Sequence, residues 1–149
     1  MVVADRFLGV SPAKQARYLA LASLRAYRAP GVDLLIQYLV QDEPDPGRWQ
    51  SGLVTAGGVR KPSYAVFELP LAVERRTRAT VTLWGQIRPG LGRQPYVLEE
   101  LRAGAWRRLG GPARTGVRGT FVRTVAAVTG TRFRVVQLSR DLTSATLTS

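Results

Sequence analysis

The side chains in this sequence that could do chemistry are concentrated in one acidic loop. Asp42, Glu43 and Asp45 follow a strongly apolar run, and Trp49 comes four residues later. Neighbouring carboxylates can act as acid, base or nucleophile, and an aromatic ring offers a flat apolar surface with a polar edge. We therefore take Asp42, Glu43 and Trp49 as candidate substrate-binding residues. The alternative for the carboxylates is a solvated turn stiffened by proline.

Composition limits the chemistry to a few residue types. The chain has 149 residues and contains neither cysteine nor histidine. This excludes disulfides, thiol nucleophiles, histidine acid–base catalysis and the usual zinc sites. No cofactor and no metal are therefore predicted. With 45% hydrophobic residues and no membrane-length apolar run, we expect a soluble chain of one ordinary domain or two small ones.

The first half of the chain predicts a helix, a buried strand and a second helix. Ser11-Pro12 supplies an N-cap hydroxyl followed by proline at the first helical position, and Pro30-Gly31 ends the helix. The run from Val32 to Val40 is so rich in Val, Leu, Ile and Tyr that it favours a strand covered on both faces, as in parallel sheets. Pro62 to Phe67 begins a short helix.

The second half predicts antiparallel strands. Residues 79–88 alternate apolar and polar side chains, which is typical of a strand with one buried face. Ala103-Gly104 predicts a hairpin turn. Further strands are predicted over 96–102, 105–109, 119–125, 131–138 and 144–148. Short strands at this spacing indicate a β-sandwich of immunoglobulin or fibronectin type, in which Trp84 and Trp106 are packing residues rather than ligand platforms.

Positive charge is concentrated in the second half. Residues 1–73 carry 8 basic and 6 acidic side chains, whereas residues 74–149 carry 14 and 4. Such a segment must attract polyanions, and we expect most of that attraction to be diffuse and removed by salt. A dedicated site would need arginines on one face. Period 2 places Arg132 and Arg134 together, and Arg123 joins them if its strand pairs alongside.

The order and spacing of several short motifs resemble the last part of secreted bacterial (β/α)8-barrel glycoside hydrolases, followed by their β-sandwich accessory domain. The motifs of the barrel part are Gly9-Val10-Ser11-Pro12, Gln37-Tyr38-Leu39, Asp42, Trp49-Gln50-Ser51-Gly52-Leu53, Gly58, Lys61-Pro62-Ser63-Tyr64 and Phe67; those of the sandwich are Leu83-Trp84-Gly85-Gln86, Trp106, Gly119-Thr120-Phe121 and Arg132-Phe133-Arg134.

The resemblance implies a definite architecture. Residues 1–73 would be the terminal α-β-α segment of a TIM barrel, with Val32 to Val40 as strand eight. Residues 74–149 would be the immunoglobulin- or fibronectin-like antiparallel sandwich. In such a barrel the active site gathers at the C-terminal ends of the strands, which is where the acidic loop falls. Trp49 would then be either a sugar-stacking platform or a lid over the end of the barrel.

The resemblance also implies that this chain has no catalytic residues of its own. In the resembling proteins the paired carboxylates come from strands four and seven. Here the chain begins inside the loop after strand seven, and Asp5 corresponds to a loop residue. The parent would be an enzyme, a glycoside hydrolase, but this chain lacks its catalytic pair. The sequence therefore leaves open whether the chain belongs to an enzyme. The parent would be extracellular, although Met1 to Val10 shows no signal peptide.

Two functions from different classes remain. The first is the non-catalytic C-terminal portion of a glycoside-hydrolase-like protein that acts on or binds polysaccharide through the parent barrel. The second is a small basic sandwich module that binds polyanions, either nucleic acid or an acidic cell-wall polymer, through Arg123, Arg132 and Arg134. The arginines are spread along strands and turns without a nucleic-acid fold signature, so we favour the first, with no specific nucleic-acid partner and no membrane. The sequence does not indicate an oligomeric state.

Overall fold

The chain divides into two compact units. A computed structural model describes residues 9–140 and 142–149. The units are Met1–Phe67 and Glu68–Ser149. The strand Leu71–Arg76 therefore belongs wholly to the second unit, and it crosses the boundary that we expected between Val73 and Glu74. Asp5 lies outside the described residues.

The first unit begins with the predicted helix. Helix α1 spans Pro12–Arg28, and the Ser11 hydroxyl accepts a hydrogen bond from the backbone N–H of Lys14 at 3.3 Å. Its buried residues are Ala16, Ala20, Ser23 and Leu24, which are spaced so that they lie on one face of the helix. Tyr27, near the end of the helix, is 46% exposed. The small side chains of the buried face allow close packing.

The predicted strand over Val32 to Val40 is wrong. In the described part of the chain this segment pairs with no strand, and its apolar side chains are exposed instead of buried. The exposure alternates: Leu34, Ile36, Tyr38 and Val40 are 73, 73, 78 and 64% exposed. Leu35 between them is 44% exposed. A strand needs a partner for its ladder of hydrogen bonds, and the described residues provide none here.

The rest of the first unit is a loop that returns to a short helix. The backbone N–H groups of Leu53 and Val54 donate to the Val40 carbonyl, and the N–H of Asp42 donates to the Val54 carbonyl. Helix α2 then spans Pro62–Glu68, as predicted, with Ser63 and Val66 buried. The loop is therefore held at both ends, next to Val40 and next to the helix.

The second unit is β-sandwich-like, and its described residues form nine strands in two antiparallel sheets. The predicted hairpin and the strands near 79–88, 119–125 and 131–138 are present; the strand at 144–148 shrinks to two residues, and three strands were not predicted (β1, β5 and β8). The strands are β1 Leu71–Arg76, β2 Thr80–Gln86, β3 Pro95–Arg102, β4 Ala105–Arg108, β5 Ala113–Arg114, β6 Thr120–Ala126, β7 Arg132–Gln137, β8 Leu142–Thr143 and β9 Leu147–Thr148.

The sheets have simple orders. The smaller sheet runs β1-β2-β6, and the larger runs β4-β3-β7-β8, with β5 beside β3 and β9 beside β7. Side chains from both sheets form one apolar core. Its buried members are Leu69, Leu71, Val81, Leu83, Ile87, Tyr96, Leu98, Phe121, Phe133 and Val135.

One aromatic pair joins the sheets across this core. The rings of Tyr96 on β3 and Phe121 on β6 stack with centroids 4.4 Å apart. Gly85 lies opposite Phe121 on the neighbouring strand, and a Cβ at Gly85 would overlap the Phe121 ring. A glycine is therefore required there for the ring to lie flat against the sheet. Trp84 is fully buried, in agreement with the prediction that it is a packing residue.

The β3–β4 hairpin turns at Ala103 and Gly104. Both have positive φ, 49° and 80°. Two residues with positive φ suit the right-handed twist of the flanking strands. The turn fixes the register, in which Arg102 faces Ala105 and Glu99 faces Arg108.

The outer edge of β7 is covered by two very short strands. β8 pairs with Val136 and Gln137, and β9 pairs with Arg132 and Phe133. Between them, Ser144 donates its backbone N–H to the Val135 carbonyl, and its hydroxyl accepts from the Val135 N–H at 2.9 Å. A side-chain oxygen thus replaces a strand carbonyl in the middle of this edge.

Candidate functional site

Asp42, the first candidate residue, lies in a buried ion pair. Its Oδ1 accepts from the Lys61 ammonium at 2.6 Å and from the backbone N–H of Gly52 at 2.9 Å. The side chains of Asp42 and Lys61 are only 5 and 10% exposed. Lys61 also donates to the Gln50 carbonyl at 2.9 Å. The carboxylate thus joins the start of the loop, its middle and the residue before α2.

Gly52 is the residue that this geometry demands. A Cβ there would lie 2.5 Å from the backbone nitrogen of Asp42, closer than real contacts allow. The N–H of Gly52 can reach Oδ1 of Asp42 only because the two backbones approach so closely. The Gly52 of the motif Trp49-Gln50-Ser51-Gly52-Leu53 therefore has a structural explanation.

Glutamine side chains hold the rest of the loop. Gln15 on α1 donates to the carbonyls of Ser51 and Gly52, at 2.9 and 3.1 Å. Gln37 donates to the Ser51 carbonyl at 2.9 Å, and Gln50 donates to the carbonyls of Glu43 and Asp45. Primary amides can bind two groups at once, so they satisfy loop carbonyls that have no strand partner.

The other candidates of this loop lie at its surface. Trp49 is 66% exposed, so its ring is available to solvent. Glu43 is half-buried, and its side chain lies 3.9 Å from Arg48. Asp45 also lies 3.9 Å from Arg48 and accepts from the Gly47 N–H at 2.8 Å. Asp42 is thus buried and used internally, whereas Trp49 faces outward.

In the second unit, the three arginine candidates do not share one face. Arg132 and Arg134 are both on β7, as predicted, but Arg123 is on β6 in the smaller sheet. β6 pairs with β2 and not with β7, so the condition for Arg123 to join them is not met. Arg123 instead interacts with the Tyr96 hydroxyl in the core.

The position of Tyr96 in the core changes the pKa of its hydroxyl. Tyr96 is 2% exposed, and burial raises its pKa above the usual value, while the charge and hydrogen bond of Arg123 act in the opposite direction. Burial disfavours the phenolate because a charge loses its hydration there. At neutral pH the phenol is therefore uncharged.

Arg134 has different partners, which sequence reasoning missed. Its Nε donates to Glu99 at 2.7 Å, and its guanidinium carbon lies 4.3 Å from the centre of the Trp106 ring. The sequence carried a signal for the positions of the two partners on their hairpin, but none for their contact with Arg134. The Ala103-Gly104 hairpin fixes which residues of β3 and β4 lie opposite each other, and so places Trp106 beside Leu101 and Arg108 beside Glu99.

The smaller sheet carries a depression that none of the predicted residues line. It has a volume of 360 Å³ and is lined by Glu74, Arg75, Thr82 and Thr124. The hydroxyls of Thr82 and Thr124 lie 2.9 Å apart and bond each other. The four side chains that line the depression do not indicate a particular reaction or ligand.

Comparison with known proteins gives no assignment, since no family model matches the chain and no curated protein matches it.

In residues 9–140 and 142–149, no helix is long and apolar enough to cross a membrane. In the same residues, no three acidic side chains are grouped so that they could hold a metal ion.

Proposed function

We propose that this chain is the non-catalytic C-terminal portion of a secreted glycoside-hydrolase-like protein that binds polysaccharide, and that its parent is extracellular. In this proposal the first unit is the final part of a barrel, and the second is an accessory sandwich of immunoglobulin or fibronectin type. Polysaccharide is bound through the parent barrel, and the exposed Trp49 ring contributes a stacking surface at its rim.

One observation supports this proposal above the others. The segment from Val32 to Val40 exposes Leu34, Ile36, Tyr38 and Val40 in alternation, and the residues between them, Leu35, Gln37 and Leu39, are less exposed. Alternation with a period of two is the pattern of a β-strand. Large apolar side chains exposed in one continuous run mark a surface that is covered in a larger assembly. Strand eight of a barrel, flanked by strands one and seven, would be covered in this way.

A polysaccharide panel tests the proposal. The chain is incubated with insoluble neutral and acidic polysaccharides, and bound protein is measured for wild type, Trp49→Ala and the control Tyr18→Ala. We expect retention by at least one polysaccharide and a loss in Trp49→Ala alone. Tyr18 is a suitable control because its ring is also half-exposed, at 46%.

The same panel tests the lack of catalysis. We expect no hydrolysis of polysaccharides or aryl glycosides, since the carboxylate pair of these enzymes comes from strands outside this chain. Turnover by the pure chain that disappears in Asp42→Ala or Glu43→Ala would contradict the proposal. So would equal retention of all three proteins on every polymer, or no retention on any.

The second candidate function, polyanion binding, is favoured by the charge of residues 74–149. Most of their arginines are exposed, and they include Arg75, Arg76, Arg107, Arg108 and Arg132. Diffuse attraction follows from this charge alone, and it weakens steeply with salt. Salt titration of binding separates it from ring stacking by Trp49, which depends little on ionic strength.

A further inference from the structure

One face of the larger sheet brings three arginines together, on β4 and β7. Glu99 on β3 pairs with Arg108 on one side and with Arg134 on the other. Arg108, Glu99 and Arg134 therefore form a row across β4, β3 and β7. Arg132 lies two residues from Arg134 on the same face of β7. We call Arg108, Arg132 and Arg134, with Glu99 and Trp106, the arginine face.

Arg134 is held in place at the centre of this face. Its Nε–H bonds Glu99, and its plane lies over Trp106. The side chain of Arg134 is 30% exposed and that of Glu99 is 12% exposed, so the acidic group lies beneath the basic one. Fixing the guanidinium beforehand lowers the entropy cost of binding. The contact with Glu99 uses Nε, which leaves most of the donor fork for a second acceptor.

The flanking arginines add charge at spacings set by the sheet. Arg132 stands about 6.7 Å along the strand from Arg134, and Arg108 stands about 9.5 Å away across two strand spacings. Both are exposed. Three guanidinium groups against one carboxylate leave the face positive, and its charges are spread along two directions that meet at Arg134 instead of converging on a point.

We propose that the arginine face binds the carboxylates of an acidic polysaccharide that lies across the strands. The inference deepens the proposed function, on which it rests, by naming the class of polymer. Arginine forks suit carboxylates, which they bind with two parallel hydrogen bonds. Nucleic acid fits less well, because single strands are bound by stacking on free rings, and Trp106 is covered by Arg134.

The first test compares two pairs of arginines. The whole chain is titrated with polygalacturonate, pullulan and single-stranded DNA at about 0.15 M salt, where exposed charges are screened beyond about 8 Å. Arg108→Ala/Arg132→Ala is compared with Arg75→Ala/Arg76→Ala, which removes the same charge from exposed positions in the other sheet. We expect polygalacturonate affinity to fall about tenfold or more in the first pair, since hydrogen bonds to charged groups are lost, and to change far less in the second.

The second test separates positioning from charge. Glu99→Gln makes the chain more cationic, so diffuse attraction predicts tighter binding. Loss of the ion pair that positions Arg134 predicts weaker binding, and that is the expected result. Circular dichroism shows that the variant is folded.

Each other outcome has a definite meaning. Equal losses in the two double variants, or tighter binding by Glu99→Gln, would overturn the arginine face. Preference for DNA that depends on Arg108 and Arg132 would overturn the polysaccharide and favour nucleic acid. Binding of pullulan that depends on Trp49, without binding of polygalacturonate, would overturn this inference and leave the proposed function standing.

Discussion

Asp42 and Lys61 bind each other where few water molecules reach them, so each depends on the other. Removing one member of a buried pair leaves an unpaired charge, which costs about 3 kcal/mol or more. We predict that Lys61→Met and Asp42→Asn each destabilise the first unit by about that amount. Hydrogen exchange of the amides of Asp42, Gly52 and Leu53 measures the loss.

The double variant Asp42→Asn/Lys61→Met completes this experiment. If the two side chains act mainly on each other, the double variant is less destabilised than the sum of the single ones. The control is Arg48→Ala, because Arg48 is exposed and lies 3.9 Å from its two acidic neighbours. Exposed pairs contribute little, so Arg48→Ala should leave the exchange unchanged. Simple additivity would show that Asp42 and Lys61 act separately.

Tyr96 makes the stability of the sandwich depend on pH. Because burial raises its pKa in the folded state, the unfolded chain loses this proton first as the pH increases. The stabilisation is complete below the unfolded pKa of about 10 and is lost as the pH rises through the higher folded value. We predict that stability falls above about pH 10 and that Tyr96→Phe flattens this fall.

Urea unfolding at several pH values measures the Tyr96 effect. Tyr38→Phe is the matched control, because Tyr38 is 78% exposed and its hydroxyl is already in water. The same pH dependence in wild type and Tyr96→Phe would show that other groups cause the alkaline loss.

At the scale of elements, the segment from Val32 to Val40 has a composition that disagrees with its observed structure. Its residues have the composition of a buried strand, but composition specifies only what environment a segment prefers. Burial on two faces needs neighbouring strands, and these are not among the described residues. A single sequence therefore indicates an environment that the described residues do not supply, and the predicted strand is wrong.

We predict that the outward side of this segment contributes little to the stability of the chain as it stands. Replacing Leu34, Ile36, Tyr38 and Val40 with threonine should leave the unfolding transition unchanged and reduce the binding of a hydrophobic dye. The control Leu53→Thr should destabilise the first unit, because Leu53 is 3% exposed and burying its hydroxyl is unfavourable. Unfolding of the quadruple variant would show that these side chains pack internally.

The helices and most long strands were predictable because local signals coincide with tertiary burial. Ser11-Pro12 starts α1, Ala103-Gly104 turns the hairpin, and alternation marks β2. The two-residue strands β5 and β8 carry no period. β1 is separated from α2 by two residues and ends in three charged residues. The Asp42–Lys61 pair was missed because the partners are nineteen positions apart along an irregular loop.

At the scale of the molecule, the two units differ in how their backbones are secured. The second unit holds its strands in hydrogen-bonded ladders over a shared core, whereas much of the first is loop held by side chains. Segments with few buried contacts open more readily. We predict that trypsin first cuts the chain after Arg48 or Arg60 and leaves a fragment that contains β1 to β9.

The chain provides its own control for this digestion. Arg75 and Arg76 are as exposed as Arg48, but they lie in β1, which is paired with β2. We expect trypsin to cut after Arg48 and Arg60 but not after Arg75 and Arg76. Mass spectrometry of the fragments identifies the sites of cleavage. Survival of the first unit with loss of the strands would contradict the assignment of the sandwich as the stable part.

The interruption at Ser144 bears on how this protein behaves when many copies meet. An unbroken outer strand would present a row of free N–H and C=O groups on which another chain could add. Here β8 and β9 are two residues each, and the hydroxyl of Ser144 takes a ladder position between them. No straight template of fibril length exists along this edge of the described sheet. We therefore expect that this edge of the larger sheet does not seed cross-β growth, even when the protein is highly concentrated.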